Sequence, residues 1–374
     1  MGSQPMDIAI FGAGIAGLMA AITLGKQGHS CRLYERSREA HDAGMGFILM
    51  PEAILYLHSL GVNLSGEFSG IPLHRYLCRN AQGEVLYEEV IPKGSRSFRR
   101  RDLMAALVNA LPADSPIIFN SELEWLDFGD GGRISAAILR SGTRVTAELF
   151  IAADGTRSRA REVLFPDWPT RSAQVIEVVG LARCSETLRW AGNNLNKFHS
   201  PDGGLAVGVL PVDKEHVVWF VQVDTARFAP PPAKEGNALS WYALVRKLTR
   251  GWAHPAPHLL AMTDPDQIHI WRPIDADVVP YFHQQNLVLA GDAAHPFSPF
   301  TSQGVASAIA DAVALADALE TWTKSVNGHL AKALANYSKE RHQQCEQYLV
   351  QGRELAQKFL APISETECWL PLAT

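Results

Sequence analysis

Gly12-Ala13-Gly14-Ile15-Ala16-Gly17 has the spacing GxGxxG, which serves the binding of a pyrophosphate. Gly12 permits a tight turn, Gly14 lets backbone N–H groups approach the phosphates, and Gly17 lets helix and strand pack closely. The helix opening there adds free N–H donors and partial positive charge for the anion. Glu35, followed by Arg36, ends the next strand, where a carboxylate accepts hydrogen bonds from a ribose. The pattern reads as a dinucleotide site and does not by itself choose between FAD and NAD.

These residues need elements to hold them. Residues 7–11 read as an apolar strand, 15–27 as a helix ended by Gly28, and 31–35 as the parallel strand of a βαβ unit. A further helix is expected over 100–111, where Leu103, Leu107 and Leu111 recur four apart. Short β segments follow at 117–120, 122–127, 133–139 and 144–147, with hairpin chemistry at Gly129-Asp130-Gly131-Gly132. An apolar strand at 149–153 delivers Asp154-Gly155. Longer β runs over about 174–223 predict an antiparallel sheet, and residues 228–237, with three prolines, read as a surface loop. Near Asn286 an apolar strand ends in Gly291-Asp292. Helix dominates from Gly304, and 329–359 reads as one long helix.

Two more turns therefore follow apolar strands. One is Asp154-Gly155-Thr156-Arg157-Ser158-Arg159-Ala160-Arg161. The other is Gly291-Asp292-Ala293-Ala294-His295-Pro296, which continues through Pro299 to Ser302-Gln303-Gly304. On residue types alone, Asp154 and Asp292 either cap their turns or face a cofactor. Arg100 and Arg101 are either a cofactor contact or a solvated charge cluster, and His295 reads as ordering its loop rather than as an acid or base.

In this order and spacing, over nearly the whole chain, the three motifs resemble the signatures of the flavin-dependent aromatic hydroxylases. These are group A flavoprotein monooxygenases with a para-hydroxybenzoate-hydroxylase-like fold. The resemblance implies that the segment Gly12, Ala13, Gly14, Ile15, Ala16, Gly17 holds the FAD pyrophosphate, and that Glu35 and Arg36 lie at the adenosine ribose. It implies that Arg100 contacts the cofactor, that Gly291 and Asp292 meet the ribityl chain, and that Asp154 and Arg161 serve both FAD and NAD(P)H. Pro299, Ser302, Gln303 and Gly304 would bring backbone N–H groups to the isoalloxazine, with the following helix aimed at its pyrimidine end. Two positions depart from the family: Ser302 stands where glycine is usual and Ala306 where asparagine is common. Losing that glycine restricts the backbone beside the flavin.

The implied reaction is reduction of FAD by NADH or NADPH, reaction with O2 to a flavin C4a-hydroperoxide, and transfer of one oxygen to a small aromatic or conjugated organic substrate. Because that chemistry is borne by the flavin, no catalytic side chain is assigned. A single GxGxxG leaves no second Rossmann domain for the nicotinamide. The expected fold is α/β: a Rossmann-like FAD-binding domain (1–73, 98–172, 272–325), an inserted, mostly antiparallel β-sheet substrate domain (74–97, 173–271) and C-terminal helices (326–374). Phe198, His199, Trp219, Phe220, Phe297 and Phe300 are candidates for an apolar substrate wall, although aromatic strand residues are more often core. Arg272 reads as a surface or interface charge before it reads as an anchor for an acidic substrate. A reductase, oxidase or halogenase on the same fold, a flavin-binding protein without turnover, and a nicotinamide-only dehydrogenase are the competing readings. The halogenase segment Trp-x-Trp-x-Ile-Pro is absent from the sequence.

Composition bounds the rest. The 374 residues are 47% hydrophobic and 20% charged, enough for two structural regions with a large core. A net charge of −5 gives no general attraction to nucleic acid or anionic membrane. Five dispersed cysteines without a CxxC pair fit a reducing compartment, and neither a secretory signal nor an 18-residue apolar run is present. The N-terminal Met1–Met6 stretch lacks a myristoylation signal and reads as a leader. The expectation is a cytoplasmic protein. His254 and His258 stand four apart, but Pro255 and Pro257 should break a helix there, so no metal is expected. Oligomeric state is not legible.

Overall fold

The computed structural model describes residues 5–39, 46–231, 238–323 and 330–363. The leader at 1–4, Cys368 and His329, together with 232–237 of the proline-rich loop, lie outside the described residues.

Apolar runs this continuous belong to parallel strands covered on both faces. Accordingly, Asp7–Phe11, Ser30–Tyr34, Leu149–Ala152 and Leu287–Leu289 pair in parallel within a six-stranded sheet, with Ile117–Ile118 and His283–Gln284 at its edges. Helix α1 (Ile15–Lys26) crosses between the first two strands; Gln27 caps it and Gly28 leaves with φ +88°. Leu149–Ala152 lies on one side of Asp7–Phe11 and is followed outward by Leu287–Leu289. Three adjacent parallel strands thus end at the same sheet edge, each running straight into one of the three motif turns.

The second layer is a seven-stranded sheet in the order Ile268–Trp271, Val175–Arg183, His216–Asp224, Leu205–Pro211, Asn194–His199, Arg75–Asn80, Val85–Val90. All its pairings are antiparallel except that of Asn194–His199 with Arg75–Asn80. Strand alternation gives it two unlike faces. One buries Phe198, Val207, Trp219 and Val221 against helical residues such as Trp241, Val245 and Leu259. The other turns Leu195, Leu210, Val218 and Ala206 toward Ile48, Phe300, Leu355 and Phe359. It also carries the buried polar side chains Glu177, Lys197, His199 and Gln222.

Sequence reasoning missed α2 (Pro51–Ser59), although Pro51 at its first position is a helix-start signal. The expected helix at 100–111 is α3 (Arg100–Asn109), and α4 (Arg159–Leu164) follows the second motif. A short helix, α5 (Ser185–Ala191), lies between the β runs of about 174–223, and α6 (Ala238–Leu248) lies beyond the proline loop. Pro257 does not break a helix but sits in the first turn of α7 (Ala256–Met262), where its missing N–H costs nothing. His258 is therefore helical and His254 precedes the helix, their rings 5.6 Å apart. The chain closes with α8 (Gly304–Thr323) and α9 (Leu330–Leu360). Cys31, Cys78, Cys184 and Cys345 are buried and form no disulfide. Among the described residues no helix is long and apolar enough to cross a membrane.

Candidate active site

At the first turn Gly12 takes φ +101°, and its N–H donates to Tyr34 O at 2.8 Å, pinning the turn to the second strand. Gly14 caps α1 without a side-chain hydrogen bond, and no acidic residue occupies the first helical turn. The end N–H groups of α1 and their positive partial charge are left for an anion. Glu35 braces this turn: Oε2 accepts the Ala13 N–H at 2.8 Å and Oε1 the Ser37 N–H at 2.9 Å. Burial pulls the Glu35 pKa up, but these backbone donors outweigh it and hold the carboxyl below the usual glutamate range.

The second turn is organised by Asp154. Its Oδ2 accepts from Arg159 N at 2.7 Å and Ala160 N at 3.3 Å, so it does cap the turn entering α4. Its Oδ1 is buried with no hydrogen-bond partner among the described residues. Burial raises the Asp154 pKa against the pull of these bonds. An orphaned carboxylate oxygen beside a cleft is costly unless a ligand donor completes it. One oxygen thus caps the turn, and the other is left without a partner among the described residues.

The third turn is stitched to the other two. Arg161 on α4 donates to the carbonyls of Asp292 (2.9 Å) and Ala293 (3.0 Å) and to Thr156 O. Gly291 takes φ +59°, and a Cβ there would lie 2.7 Å from Ala16 Cβ of α1. Burial raises the Asp292 pKa, opposed by the charges of His295, Arg100 and Arg161. Arg100 is lowered by burial, with Asp292 opposing. Farther on, Pro299–Thr301 forms a 3-10 turn, and Ser302 takes the left-handed conformation at φ +54°. A serine therefore adopts the backbone that glycine supplies elsewhere, at a cost of about 1–2 kcal/mol. Gly304 then opens α8, with no acidic residue in its first turn and open space where its Cβ would be.

Gly12, Ala13, Gly14, Glu35, Arg36, Arg100 and Asp154 line one cleft of about 240 Å³. That is smaller than a pocket enclosing a whole drug-sized ligand and is of a size for one end of an extended molecule. Ile15 and Gly17 pack inside the core rather than facing it. Gly291, Asp292, Pro299, Ser302, Gln303 and Gly304 are not among its lining residues; the Gly291–Asp292 turn is tied to the second turn by Arg161 and packs on Ala16 of α1. Sequence reasoning missed Tyr34, Met104, Arg157 and Arg159 in the lining, although both arginines stand in the second motif.

The expected aromatic wall divides. Phe198 and Trp219 point to the helical side of the large sheet, where Trp219 Nε1 donates to Thr263 Oγ1 at 2.7 Å. Phe297 packs between His295 and Tyr348. His199, Phe220 and Phe300 lie on or against the opposite face of that sheet. Arg272 is exposed, its guanidinium 6.0 Å from the Trp241 ring.

Comparison with known proteins agrees with this geometry. A family model described as an FAD binding domain matches residues 5–351. Aurachin C monooxygenase/isomerase of Stigmatella aurantiaca is 26% identical over 360 residues, covering 94% of this chain and 89% of its own. The 6-hydroxynicotinate 3-monooxygenase of Pseudomonas fluorescens is 28% identical over 357 residues, 87% of this chain and 85% of its own. Among solved structures, Klebsiella pneumoniae HpxO complexed with FAD and uric acid matches with a TM-score of 0.80 at 23% identity. That match covers 94% of this chain and 88% of HpxO.

Proposed function

Because this chain belongs to the FAD-binding family of aromatic monooxygenases, we propose that it takes electrons from NADH or NADPH and uses O2 to hydroxylate a small aromatic or conjugated substrate. Bound FAD would supply the oxygen chemistry. The chain's own residues hold and orient it. The N-terminus of α1 would take the pyrophosphate, the orphaned Asp154 Oδ1 would accept from a hydroxyl of the cofactor, Glu35 and Arg36 would meet the ribose, and Arg100 the middle of the cofactor. Gly291 and Asp292 would meet the ribityl chain. Pro299, Ser302, Gln303 and the open end of α8 would surround the isoalloxazine, favouring negative charge on it.

The single observation that carries this reading is that three turns, each leaving an adjacent parallel strand at one sheet edge, are joined by Arg161 and Gly291, with the first two lining one cleft. In our reading the cofactor belongs to residues 1–73, 98–172 and 272–325, the substrate to 74–97 and 173–271, and 326–374 is the helical tail. The substrate would lie against the sheet face bearing Phe220 and His199, with Phe300 beside it. Substrates named for relatives, 6-hydroxynicotinate and 3-amino-4-hydroxybenzoate, are rings made electron-rich by hydroxyl or amino groups. The same class suits a face that combines apolar and polar side chains.

The test is an FAD titration of apoprotein followed by NADH and NADPH oxidation with a panel of phenols, aminophenols and hydroxylated heterocycles under ¹⁸O2. We expect one compound to accelerate oxidation and to gain one labelled oxygen. Substrate-insensitive oxidation yielding only hydrogen peroxide across the panel would leave an oxidase or reductase instead.

A further inference from the structure

Behind the third turn lies a charged cluster that the cofactor contacts do not explain. Asp311 on α8 is 1% exposed. Its Oδ2 accepts the Gly291 N–H at 2.7 Å and pairs with His295 Nε2 at 2.7 Å. Its Oδ1 accepts Arg341 Nε of α9, also at 2.7 Å. Arg341 reaches on to Ser307 O (3.3 Å) and Cys345 Sγ (3.8 Å). Both cationic side chains are 1% exposed.

His295, Asp311 and Cys345 stand close enough to hold a metal ion. The Arg341 guanidinium, already on Asp311 and beside the sulfur, opposes a second cation there. The cluster is instead a charge network. Burial depresses the His295 pKa, but Asp311 outweighs it and the imidazole is pushed up to about 10. Asp311 is held below its ordinary range, burial being outweighed by its two cations.

A buried ion network is a weak device for stability, because apolar residues of similar volume serve as well or better. A carboxylate can do what they cannot: accept a backbone N–H, an imidazole and a guanidinium together. The N–H it accepts is that of Gly291, in the left-handed turn that packs on Ala16.

We propose that Asp311, locked by Arg341, is the positioning residue that sets the Gly291–Asp292 turn for FAD, with His295 paired to the same carboxylate. This rests on the reading that the turn meets FAD. The network also makes α9 part of the cofactor site: Tyr337 Oη donates to Leu289 O, the end of the strand feeding the turn, at 2.8 Å. Removing the support of an orienting group typically costs 10- to 100-fold in the affinity it supports.

Apoproteins of wild type, Arg341→Met, Arg341→Lys, His295→Gln and Asp311→Asn are titrated with FAD by flavin fluorescence, well below each melting temperature. Arg341→Met and Asp311→Asn should lose about 10- to 100-fold in FAD affinity, His295→Gln less, and Arg341→Lys should recover part of the loss. Substrate KM at saturating FAD should stay within about twofold, because the network touches no substrate. If Asp311→Asn does not fold, the two Arg341 variants and His295→Gln decide. Lower melting temperatures with unchanged FAD affinity would overturn the proposal and leave the network a structural one. A wild-type apoprotein that binds no FAD would instead overturn the functional reading beneath it.

Discussion

Gly14→Ala should leave the apoprotein folded and cost about 100-fold or more in FAD affinity. At Gly14 the backbone is extended (φ −75°, ψ −174°), which alanine adopts freely, and the added Cβ meets nothing within 4 Å. The open space beside it is the approach to the α1 N-terminus, so the methyl group stands where the phosphates would come closest. Losing two charge-assisted hydrogen bonds, at about 1.5–3 kcal/mol each, gives the expected loss. Gly17→Ala is the control of opposite character. Its Cβ would fall 1.9 Å from Gly12 O, a clash with backbone that cannot be turned aside, and the fold itself should weaken by about 3 kcal/mol or more. Thermal melts of both apoproteins and FAD titrations of the folded ones separate the two effects. Gly14→Ala protein that binds FAD like wild type would remove the first turn from the cofactor site.

The contrast shows which parts of the site the sequence makes legible. Each motif is a strand, a turn and a helix start, all local in the chain, so GxGxxG, Asp154-Gly155 and Gly291-Asp292 can be read without knowing the fold. Their convergence follows once the three apolar strands are taken as parallel neighbours, since parallel strands ending at one edge bring their turns together. Contacts between distant segments leave no such mark. Nothing near Asp311 announces that its carboxylate will hold Gly291 on one side and Arg341 on the other. The candidate aromatic wall divides for a different reason. Phe198 lies between Lys197 and His199 on one strand, and alternation sends it to the opposite face from both. Parity places Phe198 and Trp219 in the helical-side core, the reading favoured for aromatic strand residues, and puts Glu177, Lys197 and Gln222 on the opposite face.

Parity also leads to a large pH effect. Glu177 pairs directly across the sheet with Gln222, whose Nε2 donates to its Oε1 at 2.7 Å. Burial pushes the Glu177 carboxyl up to about 7 from 4.5, against the pull of Gln222 and the charge of Lys197. Lys197 Nζ lies on the same face, 5.8 Å from the Phe300 ring and 5.6 Å from the Phe359 ring. Below pH 4.5 Glu177 is protonated whether the chain is folded or not. As pH rises from there the unfolded chain releases this proton first, so the folded state loses stability until about pH 7 and then levels off. At 1.36 kcal/mol per pKa unit the loss is on the order of 3 kcal/mol. Glu177→Gln removes it. Urea unfolding of both FAD-saturated proteins, at about pH 5 and about pH 8, should therefore show the variant gaining on wild type by that order as pH rises. Other carboxylates change both proteins alike, so the difference isolates Glu177. A gap between wild type and variant that stays constant from acid to alkaline pH would mean that Glu177 titrates as an ordinary carboxyl, and that this face of the sheet is wetter than its packing implies.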